Sequence, residues 1–194
     1  MKRSHWIGFA IAVGIVLVFT WEGFQSRPPR SSPPTLQNEP DFYMEGADIT
    51  QFDELGALRY RMRARRVAHY PSRNVTELDA PHLTFFEHQP TPWEVSSERG
   101  TIHHENRPEG GTREVVELND HVRLERHASP GNFIEVTMQA LTLYPQRKYA
   151  ETDEAVMIQS HTGRTTANGL RADLEAGMLT LHSGVHTVVL PQTL

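Results

Sequence analysis

Leu58, Tyr60, Met62 and Ala64 alternate without a fault with Arg59, Arg61, Arg63 and Arg65. Successive side chains on a β-strand point to opposite faces, so this run puts four apolar residues on one face and four cations on the other. A helix would scatter the arginines around its circumference, and the alternation therefore predicts a strand. The stretch 41–86 around it becomes the template for the rest of the chain, because the same kind of strand pair recurs.

Four units can be superimposed. The first takes 61–67 with 75–80 and 83–86, the second 93–102 with 115–124, the third 134–143 with 149–158, and the fourth 164–170 with 179–188. Leu78, Leu118, Thr152 and Leu181 occupy matched positions separated by 40, 34 and 29 residues, so the variation falls in the turns. In the later units the second limb carries a mid-strand break in alternation (Asn119-Asp120, Asp153-Glu154, Ser183-Gly184), which predicts a bulge or corner where the sheet bends. Stacked strand pairs predict an antiparallel sheet folded over itself or a β-solenoid, all-β in either case, with a continuous apolar interior. The inward positions Tyr60, Met62, Phe85, Val95, Ile102, Leu118, Val122, Val136, Met138, Leu141 and Val156 are expected to line it, as packed core or as a groove. Such a stack has two open ends. The arginine row and Pro191 read equally as guards against unwanted pairing or as neighbours of edges meant for strand addition.

The N-terminus has a different character. Lys2 and Arg3 are followed by 18 residues without formal charge, ending at Glu22. At about 1.5 Å per helical residue these cover roughly 27 Å, close to a hydrocarbon core about 30 Å thick. Trp6 and Trp21 stand near the two ends, where amphipathic aromatics favour the membrane interface. The exit from the apolar run (Phe19, Thr20, Trp21) offers bulky residues where signal cleavage needs small ones, which predicts an uncleaved anchor with its N-terminus cytoplasmic. Residues 27–40 then hold five prolines in fourteen positions and read as a semi-rigid linker.

Several chemistries find no footing. The chain has no Cys, which excludes a disulfide, a thiolate nucleophile and a thiolate metal site. The net charge of −5 is spread along the chain, without the basic block that nucleic-acid binding needs. Of eleven histidines the best cluster is His103, His104 and Glu105, whose adjacent members face opposite ways on a strand; no metal site is expected. Neither a G-x-S-x-G elbow nor a phosphate-cradling glycine loop occurs. The expected function is therefore non-enzymatic, with no cofactor. The arginine row reads as a solvated face, with an anion-binding row as the alternative.

The ordered set of segments 48–60, 68–71, 78–81, 149–153 and 167–170, placed after a basic start, one apolar span and a linker, resembles the LptC family of the lipopolysaccharide export machinery. The resemblance covers nearly the whole chain. It implies a cytoplasmic stub (1–5), a transmembrane helix (6–24), a linker (25–40) and a periplasmic β-jellyroll (41–192), single-pass in the inner membrane. It further implies that acyl chains of lipopolysaccharide lie between the sheets, that the LptB/LptF/LptG transporter meets the edge near Phe42 and Ile49, and that LptA meets the edge carrying Leu181, Val185 and Val188. A weak homodimer through strand edges would use the same surfaces. A tether or assembly adaptor with a packed core and no lipid site is the competing expectation.

Overall fold

The computed structural model of the chain describes residues 39–52, 55–86, 91–106, 111–129 and 131–189. The expected anchor at 6–24, nearly all of the linker and Pro191 lie outside them; among the described residues no helix is long and apolar enough to cross a membrane. The described chain forms β1 (Phe42–Phe52), β2 (Leu58–Tyr70), β3 (Val75–Asp79), β4 (His82–Phe85), β5 (Trp93–Ser96), β6 (Arg99–Asn106), β7 (Thr112–Ser129), β8 (Asn132–Tyr144), β9 (Tyr149–Ser160), β10 (Gly163–Asp173) and β11 (Met178–Val189), with one 3-10 turn at Pro145–Arg147.

The pairing resolves into a folded meander. Along β2, residues 60–63 pair with β4 and residues 66–70 with β3. Along β7, residues 123–125 pair with β5 and 112–119 with β6. β4 pairs in turn with β5 and β3 with β6. So β3 with β4, and β5 with β6, are long strands broken at one level. Counted once each, they give nine strands in sequence order among the described residues, all antiparallel, with β1 and β11 at the two edges.

One line of bends crosses all nine and divides the sheet into two halves that face each other. Asp120 and His121 on β7, Gly169 on β10 and Gly184 on β11 take left-handed backbone there, and the ladders slip between Asn119 and Val122, Thr137 and Thr142, and Asn168 and Leu170. Asp, Asn and Gly tolerate such backbone best, which is why the predicted polar breaks became corners. The broken strands are stitched across the line: the Ala80 N–H donates to the Glu98 carbonyl at 2.8 Å, the Ser97 N–H to Pro81 at 3.2 Å and the Glu98 N–H to Asp120 at 3.0 Å. On β2 the inward set shifts by one residue at the bend, from Tyr60, Met62 and Ala64 to Val67.

The four positions matched by the repeat fall on one transverse row just beyond this line. Met44, Val67, Leu78, Gly100 and Leu118 are successive cross-strand partners, and Leu118 continues to Leu141. Thr152, Leu170 and Leu181 complete the row. At about 4.8 Å per strand it runs roughly 38 Å. Gly100 permits the closest packing in it: a Cβ there would meet Leu118, Pro81 and Leu78 atoms at 3.1 to 3.3 Å. Each fully buried leucine in the row contributes roughly 2 kcal/mol of hydrophobic stabilisation.

Candidate lipid groove and sheet edges

All eleven residues expected to face inward do so, and the structure brings them into one cluster. Phe85, Val95, Leu118, Val122 and Val136 are fully buried, Tyr60, Met62, Met138, Leu141 and Val156 nearly so, and Ile102 packs against them partly exposed. The interior is filled along its central strands. The groove is therefore a closed seam, not a hollow: two apolar faces in water gain free energy by meeting. Burial thins toward the edges, where Met44 and Ile49 on β1 and Leu179 and Leu181 on β11 are only half covered.

The side of the seam away from the fold line carries its polar groups. The Tyr60 hydroxyl, on the β2–β4 half, donates to Glu114 Oε1 at 2.9 Å. Glu114 lies on the other half, inward like Val116 and Leu118 two and four residues on. Burial, followed by the Glu114 charge and this hydrogen bond, raises the Tyr60 pKa well above the ordinary phenol value, so the hydroxyl stays a donor. Beside it the Phe85 ring lies 5.7 Å away, and Trp93 is the cross-strand partner of Phe85. The Arg126 guanidinium stacks 4.7 Å over the Trp93 ring.

Outward side chains form cross-strand ion pairs. Arg61 of the arginine row pairs bidentately with Asp48 on β1, and Arg65 with Asp79 on β3. Arg99 holds Asp120 at the fold line, and Arg113 holds Glu105. In each case the hydrogen bond from arginine is the main cause that lowers the carboxylate pKa. The Arg61, Arg65 and Arg99 pairs are solvent-exposed, so they fix strand register more than they add stability, whereas the Arg113–Glu105 pair is partly buried. Among the described residues no group of three or more His, Asp or Glu side chains is placed to hold a metal ion.

Most of the exposed large apolar side chains on strands belong to the two edge strands. Phe42, Tyr43 and Phe52 are exposed on β1, and Met178, Val185, Val188 and Val189 on β11. Val185 lies on the inward face with Thr187, whose partner Thr165 faces the seam; Val188, opposite Arg164, lies outward. The two valines expected at this edge thus serve opposite faces, since they stand three positions apart on one strand.

A profile of the family described as lipopolysaccharide-assembly, LptC-related, matches residues 9–190. The chain belongs to the LptC family. Its β domain is similar in fold to the crystal structure of LptH, the LptA-homologous periplasmic component of the lipopolysaccharide transport device of Pseudomonas aeruginosa. That similarity has a TM-score of 0.50 and 9% identity, and covers 68% of this chain and 95% of that one. No curated protein sequence matches the chain. Membership of the LptC family gives the protein a role in lipopolysaccharide transport in the cell envelope, with a periplasmic domain.

Alternation missed part of the seam. Leu83, Trp93, Leu124 and Leu143 are fully buried in it. Trp93 could have been found from Val95, two residues along the same strand, and Leu83 likewise from Phe85. Glu114 carries no such signal, since a carboxylate at an inward position reads as a break in the pattern.

Proposed function

We propose that this LptC-family protein is a membrane-anchored relay. It takes lipopolysaccharide from the LptB/LptF/LptG transporter at its β1 edge and passes it to LptA at its β11 edge, with acyl chains held between the two halves of the sheet. The observation that carries this reading is the inward face: continuous and largely apolar across the nine strands, and ending at two edges that have no partner strand among the described residues and expose further apolar side chains. A strand edge with free backbone groups invites another strand, and the inward face would continue across the junction. The energetics point the same way. A buried CH₂ is worth about 0.8 kcal/mol, so exposing one chain of about a dozen carbons costs on the order of 10 kcal/mol. A covered path between membranes therefore wins over free diffusion. An uncleaved helix at 6–24 would hold the module at the inner membrane.

The filled interior favours one rival, a tether whose sheets never part. Photo-crosslinking separates the two. A photoreactive residue at Phe85 or Met138 captures lipopolysaccharide if the seam opens, while one at outward Arg61 does not. Equal capture at all three positions, or none at any, rejects the relay.

A further inference from the structure

Trp93 opens β5 at its end farthest from the fold line and is 1% exposed. Among the described residues its indole Nε1–H nonetheless finds no hydrogen-bond acceptor. Buried donors are almost always paired, and filling this space needs only a ring, which Phe would supply without an orphaned N–H. The register places Tyr60, Phe85 and Trp93 side by side on the inward face. The Arg126 charge over the ring draws electron density from the indole and strengthens the N–H as a donor.

Toward the fold line the lining is hydrocarbon: Val95, Leu83 and Leu124 are all fully buried. Trp93 thus marks the depth at which the seam changes from purely apolar to hydrogen-bonding. An acyl chain joined to a sugar has the same profile, a hydrocarbon tail with ester, amide or hydroxyl oxygens confined to its first few carbons. We propose that Trp93 is a specificity-determining residue of the groove, its indole N–H donating to an uncharged acceptor oxygen near the head of an inserted acyl chain. A phosphate does not suit this position, because burying its full charge is far more costly than burying a carbonyl and the Glu114 carboxylate borders the same row through Tyr60. The proposal rests on the relay reading, in which acyl chains enter between the sheets.

The test uses the full chain in phosphatidylcholine nanodiscs, with Trp93 either kept or replaced site-specifically by 3-benzothienylalanine, which preserves the ring shape and lacks the N–H; Trp93→Phe is the second variant. Two photoreactive probes are compared, a lipid A with a diazirine on one acyl chain and a diazirine-bearing hexadecane, and labelling is mapped to β4, β5, β7 and β8 by mass spectrometry. Removing the N–H is expected to lower lipid A labelling about five- to tenfold, the worth of one neutral hydrogen bond, with hexadecane labelling unchanged. Unchanged lipid A labelling, or an equal fall for both probes, overturns the proposal and leaves the relay standing. If neither probe labels the unaltered chain, the relay falls and this inference with it.

Discussion

The Tyr60 hydroxyl and the Glu114 carboxylate, 54 positions apart in sequence, meet at 2.9 Å across the two halves of the folded sheet. An acyl chain entering beside them would have to break that bond. Because the protein has no cysteine, a Tyr60→Cys/Glu114→Cys pair joined by a short bis-methanethiosulfonate reagent, from which the thiols displace sulfinate to form two reducible disulfides, would hold the halves shut. Lipopolysaccharide capture at Met138 should fall several-fold in the joined form and return after the linker is cleaved. Capture that persists in the joined form would show that lipid enters elsewhere.

Tyr60→Phe should cost roughly 1.5–3 kcal/mol in chemical denaturation, the usual worth of a hydrogen bond to a charged group, and should change the alkaline limb of stability. Folding raises the Tyr60 pKa above its unfolded value of 10.0. The stabilisation linked to its neutral form is thus complete below that pH and lost as pH rises past it. Tyr144 and Tyr149, raised by burial and by Glu151, act in the same direction. Melting temperature should fall above about pH 10, less steeply in Tyr60→Phe.

At the acid end the sign reverses. Asp48, Asp79 and Asp120 are held below 3.8, and Glu105 below 4.5, mainly by hydrogen bonds from arginine. Their contribution is present above those values and lost as pH falls through the depressed ones. Melting temperature should stay level between about pH 8 and 5 and drop below about pH 4. Asp120→Asn should make that drop shallower.

Burial along the transverse row predicts a gradient. Leu118→Ala, at a fully buried centre, should cost about 3 kcal/mol. Leu181→Ala, on the half-covered edge, should cost less than about 1.5 kcal/mol. Denaturation midpoints measure both, and equal losses would mean that the β11 edge is as well covered as the middle.

Gly163 has a φ of +151°, and a Cβ there would run into the Val188 carbonyl oxygen. That oxygen belongs to backbone, so it cannot move without undoing the β10–β11 ladder. Gly163→Ala should therefore free the β11 edge, costing on the order of 1–3 kcal/mol and speeding amide exchange at Val188 and Val189. At Gly46, where a Cβ meets nothing within 4 Å, the same change should cost only the 1–2 kcal/mol of left-handed backbone.

Much of the architecture was readable from alternation and spacing. The inward set on β2 followed from the arginine row, and the matched positions Leu78, Leu118, Thr152 and Leu181 prove to share one row of the sheet. The corners were signalled by polar pairs, because breaks in a two-residue period leave a visible trace. What spacing could not show was how tightly the halves close, since periodicity assigns a face without its partner across the core. For the same reason the Tyr60–Glu114 bond and the orphaned Trp93 donor were invisible: each depends on two distant segments meeting. β1 also stood outside the four repeated units, because its antiparallel mate β2 was already counted with the strands that follow it.

The meander has a consequence for size. Every long strand forms its backbone ladder only with its neighbours in sequence, as in a repeat array whose stability grows largely by nearest-neighbour increments. Inserting or deleting one hairpin in the middle would therefore leave both terminal strands and their faces intact while changing the covered length by about 10 Å. A fold of this type can be lengthened or shortened like a ladder, two rungs at a time, to suit the gap it has to bridge.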